Sequence, residues 1–273
     1  MYKRQTKSRK LFEEIDERSD NTKASSIETF SIEQSSWFSI WLWTLLVSLI
    51  TLILVGGWTR LTDSGLSIVE WKPLTGMIPP FNSEGWIVEF EKYKSIPEFK
   101  LVNFDITMDE FKFIYWWEWG HRQLARFIGL VWFVGFLILW ITRQIPERWT
   151  LYFFGIGLLG ALQAFLGWWM VSSGLDGQVV DVFSYRLAIH LTMAFIILAL
   201  IFWAILFHSE NSAKIFESRR HRNKVSVNIL AGLGVLCYVQ LALGALVAGI
   251  DAGRSYNDWP LMNGKWIPLD LFE

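Results

Sequence analysis

The stretch Glu118-Trp119-Gly120-His121-Arg122 opens an apolar run that continues to about Thr142. Glu118 and His121 are three residues apart, so on a helix they look out from the same face. A carboxylate and an imidazole are costly to place in a bilayer, and ionisable groups at such depth usually serve a function. The alternative is an interfacial pair whose polar ends reach water. A second histidine at the same depth would favour the functional interpretation, and its depth depends on the topology.

The composition is typical of a membrane protein. Of 273 residues, 52% are hydrophobic, and several apolar runs reach the roughly 20 residues that span a bilayer. The net charge of −1 gives no reason to expect nucleic-acid binding. Cys237 is the only cysteine, which excludes an intrachain disulfide and a site built of several thiolates.

Five apolar runs predict five membrane-spanning helices. They are Trp37 to about Gly57, Thr107 to about Thr142, about Thr150 to Val171, about Tyr185 to Phe207, and about Val225 to Ile250. Thr107 and Glu110 fit a capping box at the start of the second helix. That helix is longer than a bilayer is thick, so its first turns should project from the membrane.

A long polar segment, 57–106, separates the first two spans. Within it, Ser83 is predicted to cap a short amphipathic helix that ends before Pro97. This helix can rest on the membrane surface, or it can pack against the protein as an ordinary loop helix. The sequence leaves both interpretations open.

The distribution of basic residues predicts the orientation. The turn at 141–149 carries two arginines and the turn at 208–224 carries five Lys or Arg residues, whereas the loop 172–184 has none. By the positive-inside rule, the N-terminus and both basic turns face the cytoplasm. The 57–106 and 172–184 segments then face outward.

An internal repeat divides the chain. Leu54-Val55-Gly56-Gly57 closes the first span and is followed by Trp71-Lys72-Pro73; Leu246-Val247-Ala248-Gly249 closes the fifth and is followed by Trp259-Pro260. Such repeats are common in membrane proteins. The fifth helix therefore corresponds to the first helix of a second copy.

We accordingly expect an all-α membrane protein, with a four-helix transmembrane bundle plus the first helix of a second, repeated bundle. Residues 1–36 are interpreted as a polar cytoplasmic tail, 37–207 as the first four-helix half, 208–224 as a basic cytoplasmic loop, and 225–273 as the first helix and loop start of an incomplete second half. The sequence is expected to be a fragment.

Helices two and four run in the same direction, and each carries a histidine near its outer end. These are His121 and His190, whose rings can face each other across a bundle. His208 lies about 27 Å along the helix from His190, too far to share a small site. Two facing imidazoles in an apolar bundle suit haem iron, whereas zinc would require further ligands.

Arginines cluster at the same end of the bundle: Arg60, Arg122, Arg126 and Arg186. Because a guanidinium group pairs carboxylates bidentately, they are candidate contacts for haem propionates. Arg186 can instead be an interface anchor, and Arg122 can pair with Glu118 one turn away. Gln163 in the third span can be a polar partner in the bundle or make a simple interhelical hydrogen bond.

Glu118 suggests more than an electron carrier. A carboxylate one turn from an axial ligand can approach the porphyrin edge. There it can accept a proton or stabilise positive charge that develops on a ring substituent.

Several motifs in their joint order resemble the haem A synthase family of alphaproteobacteria and mitochondria. They are Gly57 to Ser67, Trp71-Lys72-Pro73, Glu118 to Arg122, Gln163 to Leu175, and Tyr185 to His190. The resemblance implies an eight-helix protein of two four-helix halves in the bacterial cytoplasmic (inner) membrane. It implies oxidation of the C8 methyl group of haem O to a formyl group, which gives haem A for cytochrome oxidase.

The resemblance also implies residue roles and partners. The substrate haem is expected between His121 and His190, with Glu118 catalytic. A haem b cofactor is expected in the missing second half, through another histidine pair. Haem O synthase and cytochrome oxidase assembly factors are candidate protein partners.

Two other functions remain compatible with the residues. One is a bis-histidine membrane cytochrome b that carries electrons, in which Glu118 is structural. The other is half of a transporter or channel, which the repeat alone suggests. The second lacks the helix-breaking glycine or proline pairs expected at a midplane site.

Overall fold

The computed structural model describes residues 36–73, 75–175, 179–209, 217–218, 220–254, 258 and 260–266. Its α-helices are α1 (Ser36–Leu61), α2 (Ser83–Lys94), α3 (Pro97–Leu101), α4 (Met108–Ile141), α5 (Glu147–Leu175), α6 (Ser184–Ser209) and α7 (Lys224–Gly249). Short 3-10 turns lie at Thr75–Met77 and Ala252–Arg254. The predicted tail falls almost entirely outside the described residues.

Five helices, α1, α4, α5, α6 and α7, are long and apolar enough to cross a membrane. They coincide with the five predicted spans, and the all-helical expectation is confirmed for the described residues. Helix α1 continues four residues past Gly57 to Leu61, and α5 extends over both predicted ends. A helix can continue through polar residues beyond its apolar stretch, so hydropathy underestimates the length of the helix.

The helix starts in the long polar segment are partly as predicted. The capping box of α4 is present, with reciprocal bonds between Thr107 and Glu110. The prediction that Ser83 caps α2 was wrong. Asn82 is the extended residue, and its side-chain oxygen accepts from the N–H of Gly85 at 2.9 Å, because asparagine caps a helix at least as well as serine.

Four of the long helices form a ring of neighbours. Helix α1 packs closely against α4 and α6, and α5 packs against the same two helices. Helices α4 and α6 are thus diagonal partners, as are α1 and α5. We call the end that carries segments 62–106 and 179–183 the loop end, and the end near Arg143 and Arg148 the basic end.

Two separate cores fill this arrangement. The first lies toward the basic end and joins side chains of α1, α4, α5 and α6, among them Phe38, Leu45, Phe153 and Ile201. The second lies at the loop end. It joins α2, α4, α5 and their connecting segments through residues such as Tyr93 and Phe111, whose side chains are fully buried.

Helix α2 packs against the protein. Phe90 and Tyr93 are buried against Phe111 of α4, with ring centroids 4.9 and 5.3 Å apart. Trp86 meets Tyr115 edge to face at 5.0 Å. Of the two interpretations of this amphipathic helix, the packed loop helix is the one observed.

Helix α7 packs along α6 and meets α1 at its end, where Arg60 donates to the Ala248 carbonyl at 3.1 Å. It packs closely against α6, where Tyr238 donates a hydrogen bond to the Thr192 carbonyl and Gly249 lies close to Ser184. Among its described side chains, only Ala245 and Gly249 are buried, while Leu230 and Leu236 are about two-thirds exposed. This helix therefore has an apolar face that the described residues leave uncovered.

The loop end also holds a buried carboxyl group, Glu98, which is 6% exposed. Asn103 lies 3.4 Å from Oε1, and Oε2 is buried with no hydrogen-bond partner. Burial, and then the negative charges of Asp181 and Asp63, raise the pKa of Glu98 to about 8. This carboxyl group is therefore protonated in the folded protein at neutral pH.

We expect Glu98 to make the folded protein less stable as the pH rises from about 4.5 to about 8. The folded state binds the proton more tightly than the unfolded state, so the folded state retains it across this window. Stability then falls by up to about 1.4 kcal/mol per pH unit and levels off above pH 8. Glu98→Gln should remove this slope in thermal unfolding of detergent-solubilised protein.

The matched control for this prediction is Glu91→Gln, which changes an exposed carboxylate on α2. It should leave the pH slope unchanged. An unaltered slope in the Glu98 variant would contradict the buried, protonated carboxyl group.

Candidate functional site

His121 and His190 lie on the diagonal partners α4 and α6. A Cβ atom added at Gly56 of α1 would lie 3.0 Å from His121 Nε2, and one at Gly167 of α5 would lie 2.9 Å from His190 Cε1. Each imidazole therefore rests on a glycine of a neighbouring helix. Both histidines lie in the loop-end half of their helices, and we call this level of the helix ring the histidine layer.

This layer lies between the two cores and holds few fully buried side chains. The intervals without any buried residue are 50–58 on α1, 119–138 on α4, 157–165 on α5 and 189–193 on α6. Partly buried apolar side chains in these intervals, such as Leu52, Ile128 and Met193, pack against the first core. The two histidines therefore lie in apolar surroundings.

Gln163 joins α5 to His190. Its Nε2 donates to the His190 carbonyl at 2.9 Å and lies 3.4 Å from the ring Nε2. Gln163 Oε1 and His190 Nδ1 are both buried with no hydrogen-bond partner. Unpaired polar atoms are rare in protein interiors and call for a partner such as water, an ion or a ligand.

Glu118 is 4% exposed and pairs with Arg122, whose Nε lies 2.5 Å from Glu118 Oε1. The remaining nitrogens of Arg122 donate to the carbonyls of Ile68 at 3.0 Å and Glu70 at 3.2 Å. Its guanidinium group lies over the Trp71 ring at 5.5 Å. Arg122 therefore links the buried carboxylate to the segment that follows α1.

Arg126 lies one turn further along α4 and holds the same segment. Its Nε and Nη2 each donate at 3.0 Å, to the carbonyls of Pro73 and Lys72. Its Nη1 is buried and has no hydrogen-bond partner. Arg122 and Arg126 both line a cleft of about 470 Å³ between α4, α2 and residues 75–80.

The other two arginines have different surroundings. Arg60 forms ion pairs of 3.0 to 3.2 Å with Asp63, Asp181 and Asp251, so it ties the end of α1 to the end of α7. Arg186 donates to the Trp169 carbonyl at 2.6 Å and stacks near the Trp169 ring.

The remaining histidines lie elsewhere. His208 packs edge to face on Phe38, 4.7 Å between centroids, in the basic-end core, and His221 is exposed beyond α6. Among the described residues, no group of three or more His, Cys, Asp or Glu side chains could hold a metal ion. Two histidines of the described residues could therefore hold a metal ion whose other ligands come from a bound group.

The sequence did not point to the two glycines that carry the imidazoles. Gly167 follows Gln163 by one helical turn, so both lie on the face of α5 that meets His190. Gly56 belongs to a glycine pair, and only its partner Gly57 has open space beside it. A glycine at a helical position that faces a histidine is the sequence pattern that could have predicted these contacts.

Comparisons with known proteins identify the family of this chain. A family model described as cytochrome oxidase assembly protein matches residues 39–273. The heme A synthase of Dinoroseobacter shibae is 48% identical over 98% of this chain and 71% of its own length. That of Cereibacter sphaeroides (strain ATCC 17025) is 47% identical over 97% of this chain and 68% of its own length.

The heme A synthase of Paracoccus denitrificans is 51% identical over 86% of this chain and 61% of its own length. The chain therefore spans between 61% and 71% of the length of these three relatives. No solved structure matches it. The family match and these identities show that the chain belongs to the COX15-CtaA family of cytochrome oxidase assembly proteins.

Proposed function

We propose that this chain acts as a haem A synthase, an oxidoreductase that converts the C8 methyl group of haem O to a formyl group and so yields haem A. The observation that carries the proposal is that His121 and His190 lie on diagonal helices in apolar surroundings, each ring against a glycine of a neighbouring helix. The relatives named heme A synthase give the reaction.

The residues of the layer fit a haem. The two imidazoles could hold the iron of a haem, and each ring lies against a glycine, Gly56 or Gly167, where a larger side chain would collide with it. The unpaired Nδ1 of His190 and Oε1 of Gln163 can take hydrogen-bond partners when a ligand or water enters. A ligating histidine is usually oriented through its other ring nitrogen, and Gln163 is the side chain placed to do so.

Glu118 is the proposed catalytic residue. Arg122 holds its Oε1, so the carboxyl group cannot rotate freely. A fixed carboxylate in a water-poor site stabilises positive charge that develops nearby at little reorganisation cost. It can also accept a proton released from the oxidised methyl group. Arg122 acts here as the positioning residue of Glu118.

The four arginines predicted to contact propionates differ in availability. Arg126 is the strongest candidate, because its buried Nη1 has no hydrogen-bond partner. Arg186 is held through Nη1 and Nε, and its Nη2 remains for a ligand. Arg122 and Arg60 already pair with carboxylates, so we assign them to positioning Glu118 and to joining helix ends.

The two alternative functions have less support. An electron-carrying cytochrome b would use the same histidine pair, with Glu118 serving only as the structural partner of Arg122. The relatives at 46 to 51% identity are named as synthases. A transporter half would be expected to have interrupted helices, whereas α4, α5 and α6 run unbroken through the layer.

The wider architecture stays a proposal. We infer that α1, α4, α5 and α6 are one four-helix half, that α7 repeats α1, and that the complete architecture has eight helices with haem b in the second half. We also infer a bacterial inner-membrane location with the basic end in the cytoplasm. Haem O synthase and cytochrome oxidase assembly factors remain candidate partners.

Glu118→Gln should retain haem O and lose its oxidation. The amide has the same volume and its oxygen can still accept from Arg122, so the layer keeps its shape. The negative charge and the proton acceptor disappear, which typically costs on the order of 10²–10³ in rate. The measurement is chromatography of haems extracted from membranes that contain the protein and a supply of haem O.

Glu98→Gln is the matched control, since Glu98 is equally buried but lies outside the histidine layer. It should form haem A at the rate of the unaltered protein. Normal haem A formation by the Glu118 variant would make Glu118 structural and favour the electron carrier.

Gly56→Ala should weaken haem binding, because the new methyl group would press on the His121 ring. Moving an imidazole off its rotamer costs about 1 kcal/mol, which corresponds to a roughly fivefold loss of affinity. Gly57→Ala is the adjacent control, as its Cβ would meet open space. Titration of the purified variants with haem, followed by absorption spectroscopy, measures the difference. Equal affinities would show that the His121 ring does not bind in this position.

A further inference from the structure

Residues 72–73 and 75–81, which follow α1 by way of Trp71, fold back along the side of α4. Gln123 donates to the Gly76 carbonyl at 3.1 Å, and Arg126 donates to the carbonyls of Lys72 and Pro73. These contacts hold the segment beside α4 at the level of residues 123–126.

That level can be located relative to a bilayer. Helix α4 ends at Ile141, just before Arg143. A hydrocarbon thickness of ~30 Å takes up about 20 helical residues, which places its other boundary near Arg122. The same count along α1 from Trp37 ends near Gly56, which touches His121. Gln123 and Arg126 therefore lie at, or just inside, the hydrocarbon boundary.

The segment presents apolar side chains at this level. Met77 is 49% exposed, Ile78 66% and Phe81 84%. Each buries only part of its surface against the protein, although large apolar side chains gain about 25 cal/mol for each Å² removed from water. Exposed apolar side chains are also present on α4 next to this level, as at Phe127 and Leu130. The apolar face of the segment is thus continuous with the face of a membrane-spanning helix.

The backbone of the segment is suited to a poorly hydrated setting. In lipid, non-helical backbone is tolerated only where the protein satisfies its polar groups. The carbonyls of Lys72, Pro73 and Gly76 accept side-chain donors of α4. Two local bonds join Gly76 N–H to the Lys72 carbonyl and Ile78 N–H to the Thr75 carbonyl. Pro79 and Pro80 have no N–H to satisfy.

We propose that residues 75–81 form a wedge that inserts Met77, Ile78 and Phe81 into the lipid leaflet at the loop end. The occupant of this face is the acyl-chain region of the bilayer, because the face lies at hydrocarbon level and continues the lipid-facing surface of α4. The wedge also forms one wall of the cleft that Arg126 lines, so insertion places that cleft at the membrane boundary.

The test measures the depth of the wedge in the whole chain, reconstituted in phosphatidylcholine vesicles. Nitroxide labels are attached at Ile78→Cys and, separately, Phe81→Cys, both in a Cys237→Ser background that removes the one native thiol. Phe81 is so exposed that a label there cannot disturb packing. Leu130→Cys on α4 gives the lipid reference, and Glu91→Cys, whose side chain is 61% exposed on α2, gives the water reference.

Collision rates with oxygen and with a water-soluble nickel chelate are compared at each position. We expect labels at 78 and 81 to collide preferentially with oxygen, as at Leu130, and the preference to reverse at Glu91. Preferential collision with the nickel chelate at 78 and 81 would overturn the proposal by placing the wedge in water. Exclusion of both reagents would also overturn it, because a protein surface would then cover the wedge. Neither outcome depends on haem, so the test is independent of the proposed function.

Discussion

The buried ion pair of Glu118 and Arg122 connects the parts of this molecule. A carboxylate that is 4% exposed would be very costly at the edge of a bilayer without a partner. The partner comes from the next turn of the same helix, so the pair forms wherever α4 is helical. The other N–H groups of Arg122 donate to the carbonyls of Ile68 and Glu70. The segment after α1 is thus tied to α4 beside His121.

This constraint explains why the loop end is ordered around the histidines. Residues 68–73, which Arg122 and Arg126 hold, continue along the chain into the wedge of residues 75–81. In the other direction they join the end of α1 through a turn that contains Ser64 and Ser67. The Ser67 hydroxyl lies 3.2 Å from the Ile114 carbonyl. The second core then packs α2 over the first turns of α4. The histidine layer is consequently closed by packed structure at both ends, which suits a site that must exclude water during an oxidation.

Sequence alone was sufficient for the five long helices, and it gives the prediction that two histidines pair at one depth. Hydropathy gives the spans, and counting residues along parallel helices brings His121 and His190 to one level. It was less informative about the arginines, because their partners are backbone carbonyls of a distant loop. Nothing in the sequence of residues 68–73 states that Arg122 and Arg126 bind there. The cap of α2 was misassigned by one residue, since Asn82 and Ser83 are both good caps and only backbone geometry separates them.

The helix ring gives all four helices a part in the proposed site, although only two carry the histidines. Helices α4 and α6 are held on opposite sides of the ring by α1 and α5. Glycines at 56 and 167 of these two helices let the imidazoles approach their backbones, where a larger side chain would collide with the rings. The rest of α1, α5 and α6 packs in the basic-end core, which holds the four helices together.

The most direct test of this account is the spectrum of ferric haem O bound to the purified protein. Absorption and electron paramagnetic resonance should show a low-spin iron with two imidazole ligands. That signature should be lost in both His121→Ala and His190→Ala and kept in His208→Ala, whose ring lies in the basic-end core. A bis-imidazole spectrum that survives either of the first two substitutions, or that disappears with the third, would contradict the account.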